Sequence, residues 1–119
     1  MFHEISRMIN LEKDEPADEQ RKQLLIYMAD VRGFLGDART KFRNAALSIQ
    51  PGNLPTFQSG WKEFEKRCSL LTQHQKHMTD QQKESYTKFN NALDVFNNNA
   101  KLMLDVLYKT VEPSTEVTP

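Results

Sequence analysis

The chain has 119 residues, enough for one domain and too few for two. Sixteen Lys and Arg balance sixteen Asp and Glu, and a net charge of zero argues against a nucleic-acid binder working through bulk electrostatics. An apolar share of 38%, a mean hydropathy of −0.70, four Gly and five Pro favour long helices with narrow apolar seams over a turn-rich β fold.

No apolar run approaches the roughly 18 residues that span a bilayer. The opening residues, Met1 to Arg7, lack the basic-then-apolar profile of a signal peptide, so any export signal lies outside this sequence. The single Cys68 provides no disulfide framework.

In chain order, the punctuation at Asp14-Glu15-Pro16, at Gln50 to Pro55 and around His77 to Thr79 divides four expected helices, about 2–13, 17–49, 54–77 and 79–110. The first is a stub carrying Phe2, Ile5, Met8 and Ile9. In the second, Leu24, Met28, Val31, Leu35, Ala38, Phe42, Ala45 and Ile49 recur at alternating spacings of four and three. That 3.5-residue period belongs to a helix packed along its whole length at a shallow angle. The third carries Phe57, Trp61, Phe64, Cys68 and Leu71 in the same rhythm, with Asn53 as its expected cap. In the fourth, Gln82, Tyr86, Phe89, Leu93, Phe96, Ala100, Met103 and Leu107 repeat the seam, and Thr79 with Gln82 reads as a capping box. Residues 112–119, with two Pro and little to bury, read as a tail or linker after a 1–111 domain.

These elements predict an all-α, elongated, antiparallel up-down bundle of three long helices and a short first one. At 1.5 Å per residue the longest helices are rods of about 50 Å. The stub covers one end only, which leaves the region from Ala38 to Ile49 without a fourth helix. Either a partner chain fills that groove or a longer first helix lies upstream of Met1; a helical pattern that begins without a cap favours the second.

Catalytic constellations are missing: there is no phosphate-cradling glycine loop, no zinc-binding His-Glu-x-x-His and no Cys pair. No enzyme, cofactor or metal is therefore expected. His74 and His77 sit three apart, a spacing that suits a metal only with an added carboxylate, and more ordinarily a pair of exposed side chains at a helix C-terminus. Cys68 lies on the apolar stripe and reads as a small hydrophobe. For ligand binding, Arg32, Arg39 and Arg43 flank the seam of the second helix and offer planar forks for a carboxylate, with Trp61 as a wall. Against this, such arginines ordinarily lay their stems over the core and pair with a neighbouring Asp or Glu, and an aromatic at heptad spacing is ordinarily core. Asp30 and Asp37 read as solvated ion-pair partners, and the asparagines at 90–91 and 97–99 as a polar outer face. Gly33 and Gly36 each cost about 1 kcal/mol inside a helix; they mark either a tolerated loss or the close approach of another helix.

Two stretches, Phe2 to Ser6 with Arg21 to Ala38, and Met78 to Gln82 with Tyr86 to Phe96, resemble the extracytoplasmic helical-bundle sensor domains of bacterial methyl-accepting chemotaxis proteins. Trp61 falls where those domains often place an aromatic in the third helix. The resemblance implies a periplasmic sensor in an inner-membrane receptor, a homodimer, with anchors outside this sequence. It would sense a small molecule such as a carboxylate or amino acid, or a periplasmic binding protein, and relay it through displacement of its last helix. The same architecture serves as input domain of sensor kinases and cyclases, and a free-standing adaptor bundle is the third reading.

Overall fold

The computed structural model describes residues 1–16 and 18–109; the tail reading of 112–119 lies outside the described residues. α1 (Phe2–Glu12) opens at Met1 without a side-chain cap and gives way to a short turn at Lys13 to Glu15. Asp18 opens α2 (Glu19–Leu47): its carboxylate accepts from the backbone N–H of Arg21 at 2.8 Å, satisfying one of the donors a helix start leaves free.

α2 stops at Leu47, short of the expected Ile49, which is left exposed. Ser48 is extended there, and Pro51 forbids the helix from running on. Asn53 does not cap α3 (Asn53–Gln73) as the sequence suggests. It lies in that helix's first turn, and its Nδ2 donates back to the carbonyls of Asn44 at 3.3 Å and Ser48 at 2.6 Å. One amide thus closes the C-terminus of the preceding helix, where carbonyls lack partners. α3 ends at Gln73 rather than 77, followed by a 3₁₀ turn over Gln75–His77.

The capping box forms as expected at the start of α4 (Asp80–Lys109). Thr79 N–H donates to Gln82 Oε1 at 2.9 Å, and Gln82 N–H donates to Thr79 Oγ1 at 3.1 Å.

The helices stand in up-down order as an elongated bundle of 65 × 21 × 21 Å. α2 and α3 pack intimately along their lengths, and α1 lies against both α2 and α4 at one end. Leu24, Met28, Val31, Leu35, Phe64, Leu71 and Phe89 have no solvent exposure, so the heptad seams of all three long helices meet in one core. Ile5 and Met8 of α1 are equally buried, each worth about 1.5–3 kcal/mol of transfer free energy. That burial holds the short helix in place.

Two sequence expectations shift. In α4 the buried stripe follows the heptads through Ala100 and then passes to Leu104 and Tyr108, leaving Met103 half-exposed. A straight helix turns every 3.6 residues and drifts off a 3.5-residue repeat unless a partner enforces supercoiling. At this end α1 is absent, and Tyr108 fixes the new register by donating its hydroxyl to Ala45 O at 2.9 Å. The glycines resolve toward the plainer account. A Cβ at Gly33 would meet nothing within 4 Å, and one at Gly36 would touch the Phe2 ring at 3.8 Å, an ordinary contact. The close approach occurs instead at Gly60, where a Cβ would stand 2.8 Å from Lys41 Cδ across the α2–α3 contact.

Candidate functional site

Two features of the bundle go beyond apolar packing. The first is a polar knot that ties α1, α2 and the start of α4 together. Gln82, fully buried, uses its Nε2 to donate to Met8 O at 3.2 Å and to Glu12 Oε1 at 2.9 Å. Its Oε1 accepts both the Thr79 N–H and the Arg21 guanidinium. Arg21 also forks onto Glu12, donating from Nε to Oε2 at 2.8 Å, and bonds the His77 carbonyl. The hydrogen bond to Glu12 raises the Arg21 pKa above its ordinary value. Removing one partner from a buried pair of this kind typically costs about 3–5 kcal/mol, because the other charge is left uncompensated. Arg7 adds a link from α1 to Ser85 of α4. This end of α4 is therefore fixed.

The second feature is a groove between α3 and α4. These helices lie further apart than α2 and α3, and side chains bridge them. The rings of Trp61 and Phe96 lie 5.4 Å apart, and the Thr72 and Tyr86 hydroxyls 2.6 Å. Between these bridges and the bundle end the groove opens into two cavities, of about 720 and 370 Å³, that share Trp61, Glu65 and Asn97. Phe57, Trp61 and Leu104 form the floor of the larger one, with Lys62 and Lys101 on opposite rims. The smaller is bordered by Tyr86, Cys68 and Asp94. Volumes of this order suit a small organic ligand.

The expected ligand set divides. Trp61 lines both cavities while packing against Phe57, Phe64 and Phe96, so it is at once core and wall. Arg32, Arg39 and Arg43 are exposed and line neither cavity of this groove. Arg39 covers the Phe2 ring of α1, its guanidinium carbon 4.8 Å from the centroid, on a different side of α2 from the α3 contact. The arginines and the tryptophan therefore do not converge. Arg39 thus lies over an apolar ring as such arginines ordinarily do, but among the described residues none of the three forms an ion pair. Asp37 does pair with Lys41, at 2.8 Å.

His74 packs its ring on Tyr27 at 4.5 Å, and its Nδ1 lies 2.9 Å from Leu70 O. Among the described residues no group of three His, Cys, Asp or Glu side chains is placed to hold a metal ion. Burial pushes the Cys68 thiol up to about 12, with the Glu65 charge adding to it, which keeps the thiol protonated and unreactive at neutral pH. Tyr86 is likewise raised by burial.

Sequence reasoning recovered Gln82 and Trp61 as seam positions but missed the charges. Glu12 and Arg21 border separate helical segments, and nothing in their spacing announces that they meet. Lys62, Glu65, Asp94 and Lys101 flank the seams of α3 and α4, and that flanking position was the one available signal.

Comparison with known proteins gives no match to a family model, to a curated protein or to a solved structure. Among the described residues no helix is long and apolar enough to cross a membrane.

Proposed function

We propose that this chain is the periplasmic ligand-sensing module of an inner-membrane receptor, of the kind that feeds bacterial chemotaxis. The observation that carries this reading is the combination found on one element. α4 is an unbroken helix of 30 residues, about 45 Å long. It is fixed at its start by the Gln82 knot and bordered by an open groove along its length. A ligand that fits the groove in only one setting of α4 shifts the population toward that setting, and a rigid rod delivers the shift to its far end. The transmembrane anchors then lie outside this sequence, and a sensor kinase or cyclase module in place of a chemotaxis module would use the same device.

A second reading, an adaptor bundle that holds a partner helix, is favoured by one observation. Val95, Leu102 and Val106 stand 61%, 68% and 65% exposed along α4. Monomeric proteins seldom leave such stripes uncovered. In the sensor reading the same stripe is the homodimer contact.

The test places paired spin labels at Arg43→Cys and Asn99→Cys, both exposed, in a Cys68→Ser background and screens small organic solutes by thermal shift. A solute that raises the melting temperature and moves the label distance by roughly 1–2 Å supports the sensor. A stabilising solute that leaves the distance unchanged, or a helical partner bound on Leu102 and Val106, favours the adaptor.

A further inference from the structure

The outward face of α4 carries a second heptad. Ala92, Val95, Asn99, Leu102 and Val106 recur at spacings of three, four, three and four, and all but the half-buried Ala92 are exposed. This seam lies on the side of the helix away from the buried Ala100 and Leu104, so a second helix reaches it without disturbing the core. None of the five is charged, although charged residues make up 27% of the chain. The positions beside the seam hold Asn91 and Asn98 along one edge and Phe96 and Met103 along the other. The one charge among these edge positions, Asp105, is held by Lys109 at 3.0 Å. Lys88 and Lys109 occupy the next seam positions and bound the uncharged stretch at each end. Asn99, its only polar member, makes no hydrogen bond among the described residues.

We infer that this seam pairs with the same seam of a second copy of the chain, parallel and in register, as a coiled coil of two heptads. A two-fold contact sets each residue beside its own counterpart. A face of like charges would repel itself there, whereas this uncharged one does not. Asn99 fixes the orientation. In a parallel pair it meets its counterpart, and the amide of one donates to the carbonyl of the other, the arrangement by which a lone seam asparagine specifies register and two strands. In an antiparallel pair it would face Val95 or Leu102 and be buried without a partner. Two heptads, about 21 Å of helix, suffice because α4 is already folded in the bundle and needs no nucleation. A straight helix drifts about 20° per heptad from a 3.5-residue repeat, too little over this length to lose the seam. So short a contact falls below the standard interface size of about 1,600 Å², which makes the dimer a weak one. The pairing rests on the sensor reading only for its signalling role; the association itself needs no ligand.

Sedimentation equilibrium of the intact chain over about 5–500 µM should show a mass rising from 13.9 kDa toward twice that value. Leu102→Glu and Val95→Glu each set carboxylates face to face and should weaken the dimer at least about tenfold. Both sites are exposed, and circular dichroism checks that the variants keep their helix content. Orientation is read with Val106→Cys in a Cys68→Ser background under mild oxidation. In the parallel register the two introduced thiols face each other and form an intermolecular disulfide, which Leu102→Glu should suppress. In an antiparallel pair they stand at least about 16 Å apart, beyond the roughly 7 Å between Cα atoms that a disulfide spans. A chain that stays monomeric throughout overturns the inference and leaves the stripe to a different helix, as in the adaptor reading. A dimer indifferent to both carboxylate substitutions, or one in which Val106→Cys does not cross-link, overturns it too. The spin-label test, read on protein dilute enough to be monomeric, is independent of this one. Labels that stay still in a chain that dimerises sink the sensor reading alone, and labels that move in a chain that never dimerises sink the pairing alone.

Discussion

Cys68 illustrates how little a residue's type says about its chemistry. Two features hold its thiol up near 12, burial beneath the groove wall first and the Glu65 charge second. An exposed cysteine ionises near 8.5 and reacts readily with thiol reagents. Native protein at pH 8 should therefore be alkylated far more slowly than the urea-unfolded chain, which mass spectrometry after iodoacetamide treatment checks. The sign for stability follows. A folded-state value above the unfolded one means that folding favours the protonated thiol. The contribution is fully present below the unfolded value and is lost as pH rises from about 9 toward 12. Cys68→Ala should remove that part of the alkaline decline in urea-melt midpoints. Gln82 is the complementary case: a polar residue in a heptad seam that serves as cap, core and junction because each of its amide atoms has two partners.

At the scale of the element, α4 shows where a repeat stops governing packing. Its seam obeys the heptad through Ala100 and passes to the natural helical turn at the end of the bundle where α1 no longer lies against it. The energetic consequence is specific. Leu104→Ala, at 4% exposure, should cost about 2–5 kcal/mol in a denaturant melt, whereas Met103→Ala, at 49% exposure, should cost less than about 0.5 kcal/mol. A strict heptad would give the opposite ranking. Asn53 teaches a related lesson about element ends. The same side chain that suits an N-cap closes the neighbouring C-terminus once the Pro51-Gly52 turn brings α2 and α3 together.

Across the whole molecule the two ends of the bundle differ in construction. One end has four helices and the buried Arg21, Glu12 and Gln82 knot; the other has three, with Leu47, Ile49, Leu102 and Val106 exposed around it. Stability should follow that gradient, since regions with fewer buried contacts open at lower free energy. Native-state hydrogen exchange should find the amides of 82–93 protected more strongly than those of 98–108, with the difference reduced by Gln82→Ala. Uniform protection along α4 would contradict it. In the sensor reading proposed above, a rod firm at one end and loose at the other would leave a ligand in the groove only the loose end to move.

The amino-acid sequence by itself determined the helical class, the seams of α2 and α3, the capping box at Thr79 and the shortness of α1. All of these follow from periodicity and local hydrogen bonding, which act over a few residues and are written in residue order. Only the tertiary structure decided that Arg39 covers Phe2 instead of reaching toward Trp61, that Glu12 meets Arg21 and Gln82, and that α3 and α4 leave a groove between them. Those outcomes depend on the rotation and offset of one helix against another. Many near-equal side-chain contacts set that geometry together, and no single spacing in the chain records it.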